Sequence, residues 1–346
     1  MAGLNLQILL TQFQNIKTYC FLTSVLHFIC PNRKFKLFLL GIAIILTISG
    51  CRHNLQIPNS TASSPLLSPA ATRVIKHAYG ETKIPIKPQR IITLHDSTIL
   101  DPVLALGVKP IGAAISPEKG ILIRGITNEQ AKDIQPVGNA FEPSLEKILM
   151  LKPDLIIGRE YQKNIYNLLT SIAPTVLVDW GSFSSFQDNF RYVAQVLGKD
   201  EQAKQVLNNY QARVQEFRRR MGKRLEKIEV SVIGVSGQNI KSLNRDAVFN
   251  QIIDDIGVKK SLIQRNQKER YLQLSIELLT RYDADVLFVI NEPNSEPLSY
   301  LKNPIWFQLK AVKNRQVYEV QPSIWFAGGP LGANMILDDL FKYLVK

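Results

Sequence analysis

Apolar residues recur along this chain in two periods. From Arg90 onward, short unbroken runs have the length and β-branched content of buried strands: RIITL, KPIGAAI, PDLIIG and PTVLVD. Between them, STILDPVLALG, SLEKILMLK and NIYNLLTSIA repeat apolar residues three and four apart, as helices with one buried face do. Alternation of this kind predicts a mainly parallel sheet covered by helices. Residues 186–226 break the rhythm. Their pattern is almost wholly helical, with Phe186, Phe190, Val193 and Leu197 on one face, and after Gly198-Lys199 it resumes at Ala203, Val206, Tyr210, Phe217 and Met221. Strands return as IEVSVIGV, DADVLFVI and QVYEV. The predicted layout is an N-terminal α/β lobe over 72–185, a linking helix region over 186–226 and a C-terminal α/β lobe over 227–346.

One pattern occurs twice. Ser144, Glu146 and Asp154 stand in the same register as Ser275, Glu277 and Asp285, with apolar residues between. Each copy reads as a serine N-cap, a glutamate in the first turn, a short helix, and an aspartate before a buried strand. The match suggests two related lobes.

The N-terminal pattern differs. Arg33, Lys34 and Lys36 precede an apolar run from Leu37 to Ile48, after which Ser49 and Gly50 lead to Cys51. A membrane-spanning helix needs about 20 apolar residues. The run is short for that and suits an export signal over 1–50. Residues 52–71 are rich in Ser, Pro, Ala and Thr, so 51–71 reads as a flexible tether. Ile48-Ser49-Gly50-Cys51 resembles the lipobox of bacterial lipoproteins, in which the signal is cut before a cysteine that then carries lipid. A normal lipoprotein signal does not need residues 1–31; a misassigned start and a real extension both account for them.

Composition adds limits. The 346 residues are 45% hydrophobic and 21% charged, as in a globular protein with a substantial core. Of the net charge of +13, residues 1–50 supply four units and leave +9 for the rest. Such an excess favours anionic partners or simply aids solubility. Arg218-Arg219-Arg220 lacks the interleaved aromatics of a nucleic-acid groove, so no nucleic-acid partner is expected. Cys20, Cys30 and Cys51 are the only cysteines, which excludes a disulfide or cysteine zinc site in the body. His77 and His95 are its only histidines, too few for a His-rich metal site; His95-Asp96 follows the first strand and is a candidate to face the cleft. No Gly-x-Ser-x-Gly, Walker or Gly-x-Gly-x-x-Gly pattern is present, and no enzyme activity or cofactor is expected.

In an α/β lobe, ligand meets the loops at the carboxyl ends of the strands. That rule selects Arg159, Glu160 and Tyr161 after LIIG, Trp180 after TVLVD, residues 236–245 including Arg245 after SVIGV, and Trp325 after VYEV. The glycine-rich FAGGPLG reads as a turn into the last helix whose amides can serve an anion. Core packing is the alternative for Tyr161 and Trp325, and a solvated surface for each arginine.

The repeat, together with EPSLEKILMLKPDLIIG, YVAQVLGKDEQAKQVLNNYQARV and NPIWFQLKAVKNRQVYEVQPSIWFAGGPLGA, resembles the class III periplasmic binding proteins of bacterial ABC importers, specifically their ferric-siderophore binders. The resemblance spans about residues 73–346. It implies two Rossmann-like α/β lobes joined by one long α-helix, with ligand in the cleft between them. It also implies a monomer, lipid-anchored at Cys51 and exported, that passes a ferric siderophore to a permease dimer with its ATPase. Glu146 and Glu277 match the glutamates that dock on the permease. Tyr161 and Trp325 match ligand-contacting positions, as do Arg270 and Tyr271 before the second copy of the repeat. An arginine common before EPSLE is replaced by Asn139-Ala140-Phe141; Arg124, Arg159 and Arg245 are its candidate substitutes. The siderophore fills the iron's coordination sphere, so guanidinium forks and aromatic faces are what such a ligand requires. Cobalamin and haem delivery are the alternatives within the fold; a surface enzyme or receptor domain is the alternative outside it.

Overall fold

The computed structural model describes residues 71–115, 123–236, 239–243, 247–269, 271–291 and 302–345. The signal region, Cys51 and its tether, Arg245 and Arg270 lie outside the described residues. Leu67–Lys346 forms one compact unit with two principal sheets.

A hairpin of β1 (Thr72–His77) and β2 (Gly80–Pro85) opens the body. The first sheet contains β3 (Ile91–Thr93), β4 (Gly112–Ala113), β5 (Gln135–Pro136), β6 (Leu155–Arg159) and β7 (Thr175–Val178). All pairings are parallel, in the order β5-β4-β3-β6-β7. The second sheet contains β8 (Glu229–Ser236), β9 (Asn239–Leu243), β10 (Lys259–Lys260), β11 (Tyr271–Leu274), β12 (Val286–Asn291) and β13 (Val317–Val320). Its order is β11-β9-β8-β12-β13, with β10 also beside β8. Here β8, β12 and β13 run parallel, while β9 turns back as a hairpin that β11 extends.

The apolar runs form strands because both faces of each sheet are covered. In the first lobe Ile92, Ile156 and Leu94 face Ile148 of α1 (Leu145–Met150) and Leu169 of α2 (Tyr166–Ile172), and Ile91, Leu155, Ile157 and Val176 pack toward α3 (Phe186–Leu197). In the second, Val230, Val232 and Phe288 pack against α4 (Asp200–Met221), α5 (Val248–Ile256) and α6 (Pro330–Leu344). Ile233, Val235 and Leu287 turn to Leu279, Tyr282 and Trp306 on the other side. Each such side chain contributes on the order of 1.5–3 kcal/mol of burial.

The linking region carries the one long helix, α4 of 22 residues, with the shorter α3 before it. Gly198 adopts φ +65 and closes α3, with Lys199 N–H returning 2.9 Å to Ala194 O. Glycine takes this left-handed cap without a Cβ penalty. The Arg73 guanidinium covers the last carbonyls, 2.6 Å from both Gln195 O and Val196 O.

The two copies of the sequence repeat use the same bonds. Ser144 Oγ accepts Lys147 N–H at 3.3 Å, and Ser275 Oγ accepts Leu278 N–H at 3.4 Å. Asp154 accepts Gln89 N–H and Arg90 N–H at 2.7 and 2.9 Å, at the entry to β3. Asp285 accepts Glu229 N–H at 2.9 Å, at the entry to β8. The copies differ in the helix itself. Leu145–Met150 is α-helical, whereas Leu278–Tyr282 winds as a tighter 3-10 turn, so Glu277 precedes the helix rather than standing in its first turn.

The lobes meet through a buried carboxylate. Asp101, in the short helix Asp101–Ala105, has no exposed surface. Its oxygens accept Leu331 N–H at 2.9 Å and Gly332 N–H at 2.8 Å, the first amides of α6. The amides of FAGGPLG thus meet an acceptor carboxyl, and that carboxyl is a side chain of this protein. A Cβ on Gly329 would run into the Asp101 carboxyl, and one on Gly332 into Ala327. Burial pushes the Asp101 carboxyl up to about 8, against the pull of the two amides. Asn189 Nδ2 bonds Thr98 O at 2.9 Å, and Gly125 N–H bonds Ser323 O at 2.7 Å, beside the same junction. Asp101→Ala strands two buried amides and should lower the unfolding free energy by about 2–4 kcal/mol; urea denaturation checks this, and Asp101→Asn should recover part of the loss.

Candidate functional site

The strand order of each lobe reverses at its central strand, and the crevice outside the carboxyl ends of β3 and β8 is where such sheets bind ligands. A cavity of about 250 Å³ lies there. Its N-terminal-lobe wall is His95, Ser97, Thr98, Arg124, Arg159 and Trp180; the other lobe supplies Ala247, Val248, Trp325, Phe326, Ala327 and Gly328. Two larger hollows, of about 400 and 360 Å³, open at the amino ends of the strands, beside Val286 and Ile91. They lack the buried, paired charges of the interlobe cavity, which is therefore the candidate site.

The wall is built from the first turn after β3. His95 caps a wide π-type turn, Asp96–Leu100: its Nδ1 accepts Thr98 N–H at 3.1 Å and meets Thr98 Oγ1 at 2.9 Å. Asp96 holds Arg124 by two charge-assisted bonds, from Nε at 2.9 Å and from Nη2, and accepts Arg124 N–H at 3.3 Å. Burial favours a neutral Asp96, but the Arg124 bonds outweigh it and hold the carboxyl below its usual range. Burial drives His95 down to about 4; Asp96 opposes this, and Arg124 and Arg159 add to it. The ring is thus neutral, and the 3.7 Å approach of Asp96 Oδ1 to Nδ1 is not an ion pair.

Arg159, the last residue of β6, is 8% exposed. Glu160 takes its Nε and Nη2 at 2.8 and 2.7 Å, and Nη1 reaches Thr98 Oγ1 at 3.2 Å. Burial works to raise Glu160, yet the Arg159 bonds leave its carboxyl lowered. The guanidinium carbon lies 5.4 Å from the Tyr161 ring centre and 5.8 Å from that of Trp180, within cation–π range. Tyr161 stacks on Phe141 at 5.2 Å, and Phe141 is 81% exposed. The wall therefore carries a row of Phe141, Tyr161, Arg159 and Trp180. Gln162 fixes its base: Nε2 donates to Leu94 O at 2.9 Å and Ala140 O at 2.7 Å.

The structure brings Arg124, Arg159, Tyr161 and Trp180 together. Trp325 borders the cavity from within the core. It has no exposed surface, donates its Nε1–H to Asp339 at 2.9 Å and lies 4.8 Å from Phe288. Phe326 beside it carries Lys241 Nζ 5.9 Å from its ring centre. Tyr271 stands apart. It begins the outer strand β11, three residues before the carboxyl end, and is 65% exposed. Glu146 and Glu277 are both exposed on their respective lobes. Sequence reasoning left His95 as a residue facing the cleft and did not select Gln162 or Asp101. A histidine three residues before a threonine, at the end of a strand, is the signal for the cap. Among the described residues no group of three His, Cys, Asp or Glu side chains is placed to hold a metal ion.

Residues 91–324 match the periplasmic binding protein family model. The chain belongs to this family. It is 32% identical over 318 residues to the probable siderophore-binding lipoprotein YfiY of Bacillus subtilis, covering 87% of this chain and 95% of that protein. It is 30% identical over 285 residues to the Fe(3+)-citrate-binding protein YfmC of the same organism, covering 81% and 87%. Among solved structures, Staphylococcus aureus SirA complexed with staphyloferrin B aligns with a TM-score of 0.67 at 31% identity, over 79% of this chain and 98% of that one.

In this binding protein the buried His95 has a pH signature. Its folded value of about 4 lies below the 6.5 of an unperturbed histidine. Between those values the unfolded chain binds the additional proton, so stability present at neutral pH is lost as pH falls from about 6.5 to about 4, by about 3 kcal/mol in total. Urea midpoints across that range should show the loss, and His95→Asn should flatten it.

Proposed function

We propose that this chain is the substrate-binding component of an ABC importer, that it captures a ferric siderophore in the interlobe cleft, and that it delivers the complex to a membrane permease. The observation that carries the reading is the wall of two arginine–carboxylate pairs flanked by Tyr161, Phe141 and Trp180. Nitrogen donors meet the oxygens of a chelate, and aromatic faces cover its organic frame. No side chain of the wall need ligate iron, because the siderophore does so. The names of the relatives, a siderophore-binding lipoprotein and a ferric citrate binder, support the same reading. Arg124, Arg159, Tyr161 and Trp180 are the contacts within the described residues, and Trp325 backs the cavity. Arg245 and Arg270 stay in the reading as proposed ligand contacts outside the described residues, and Tyr271 stands apart from the cavity.

Cys51 is the proposed lipid attachment point, which holds the exported protein, as a monomer, at the membrane beside its permease and ATPase. Glu146 and Glu277 are the proposed docking residues: each is exposed, and each follows a serine cap at the carboxyl-end side of its own sheet.

A ferric complex bound at Trp180 should quench tryptophan fluorescence. Titration with ferric citrate, ferrichrome, cobalamin and haem tests the reading: quenching by an iron chelate supports it, and a response to cobalamin or haem alone overturns it. Trp180→Phe should remove most of the quenching. Replacing Glu146 and Glu277 together by alanine should leave ligand affinity unchanged and abolish uptake; normal uptake in the double variant removes their docking role.

A further inference from the structure

One pair of polar groups in the wall is mismatched. Because His95 Nδ1 accepts the Thr98 N–H, the proton of the neutral ring sits on Nε2. Nε2 lies 3.3 Å from Arg124 Nη2, which is also a donor. Two N–H groups that face one another at this distance repel, and only an atom with lone pairs relieves them. The same corner holds a second orphan. The Tyr161 hydroxyl is buried with no hydrogen-bond partner among the described residues, and its ring meets His95 edge-on at 6.3 Å between centres. The Arg124 side chain keeps 40% of its surface exposed toward solvent, so the corner is reachable.

We propose that His95 is a specificity-determining ligand contact, and that its Nε2–H, Arg124 Nη2 and the Tyr161 hydroxyl seat one acceptor oxygen on the organic frame of the bound complex. The proposal rests on the siderophore reading above and deepens it. The oxygen is a carboxylate or an amide carbonyl. Arg124 and Arg159 are each already neutralised by a carboxylate, so the corner selects by hydrogen-bond donors rather than by net charge.

The test uses the full chain in detergent, titrated with ferric citrate and with ferrichrome by fluorescence. Asparagine at 95 can still cap Thr98 N–H, but its shorter side chain places no N–H at the position of Nε2. His95→Asn and Tyr161→Phe should each weaken the complex that the wild type binds by about tenfold or more. The double variant should lose less than the product of the two, because both groups hold one oxygen. A loss confined to ferric citrate assigns a carboxylate, and one confined to ferrichrome assigns a carbonyl. Wild-type binding with both single variants within about twofold of it overturns the proposal and leaves the transport reading standing. If the wild type binds neither complex, the transport reading fails and takes the proposal with it.

Discussion

The bond between the Asp101 carboxyl group and the first amides of α6 is the constraint on which the cleft depends. It joins a helix that follows the first strand of one lobe to the last helix of the chain. A helix N-terminus carries unsatisfied N–H groups, and the carboxyl oxygens accept two of them. Glycines at 329 and 332 let the backbones approach that closely. With this junction made, Gly328 packs against Ser97 and Thr98 at the edge of the cavity. The lobes are therefore joined beside the cleft by a buried polar contact and close backbone packing.

The cavity wall follows a second rule, that buried charges are paired. Arg124 is held by Asp96 and Arg159 by Glu160. Thr98 links the two sets, touching both His95 and Arg159. The wall is therefore close to neutral although the chain as a whole carries +13. The pairs fix each guanidinium in one orientation, which favours recognition of a ligand by shape and donor placement. The aromatic row runs alongside, with Phe141 at its exposed end. In the place where the resembling family often carries an arginine, this chain offers an apolar face.

Much of the fold was legible in the sequence. Runs such as PDLIIG and DADVLFVI became strands because alternate residues enter cores on opposite faces, which no exposed strand permits. The serine, glutamate and aspartate spacing in both lobes reflected one local solution: a hydroxyl caps a turn, and a carboxylate binds the entry of the central strand. The long linking helix was legible too, and the break in period at Gly198-Lys199 is the left-handed cap that separates it from α3. The outer hairpin strands of the second lobe also escaped notice, since their pattern mixes polar and apolar residues on a half-exposed edge.

The site divides in the same way. The sequence by itself determined which residues follow the carboxyl ends of the strands, because strand ends are local events. It therefore placed Arg159, Tyr161 and Trp180 at the cleft. Only the tertiary structure decided what those side chains do. Trp325 turned inward to Asp339 and Phe288. The His95 tautomer followed from one amide bond, and the role of Asp101 from partners 230 and 231 residues away. Periodicity records which face of an element is buried. It carries no information about which distant donor meets a buried acceptor, and that pairing is what gives this cleft its chemistry.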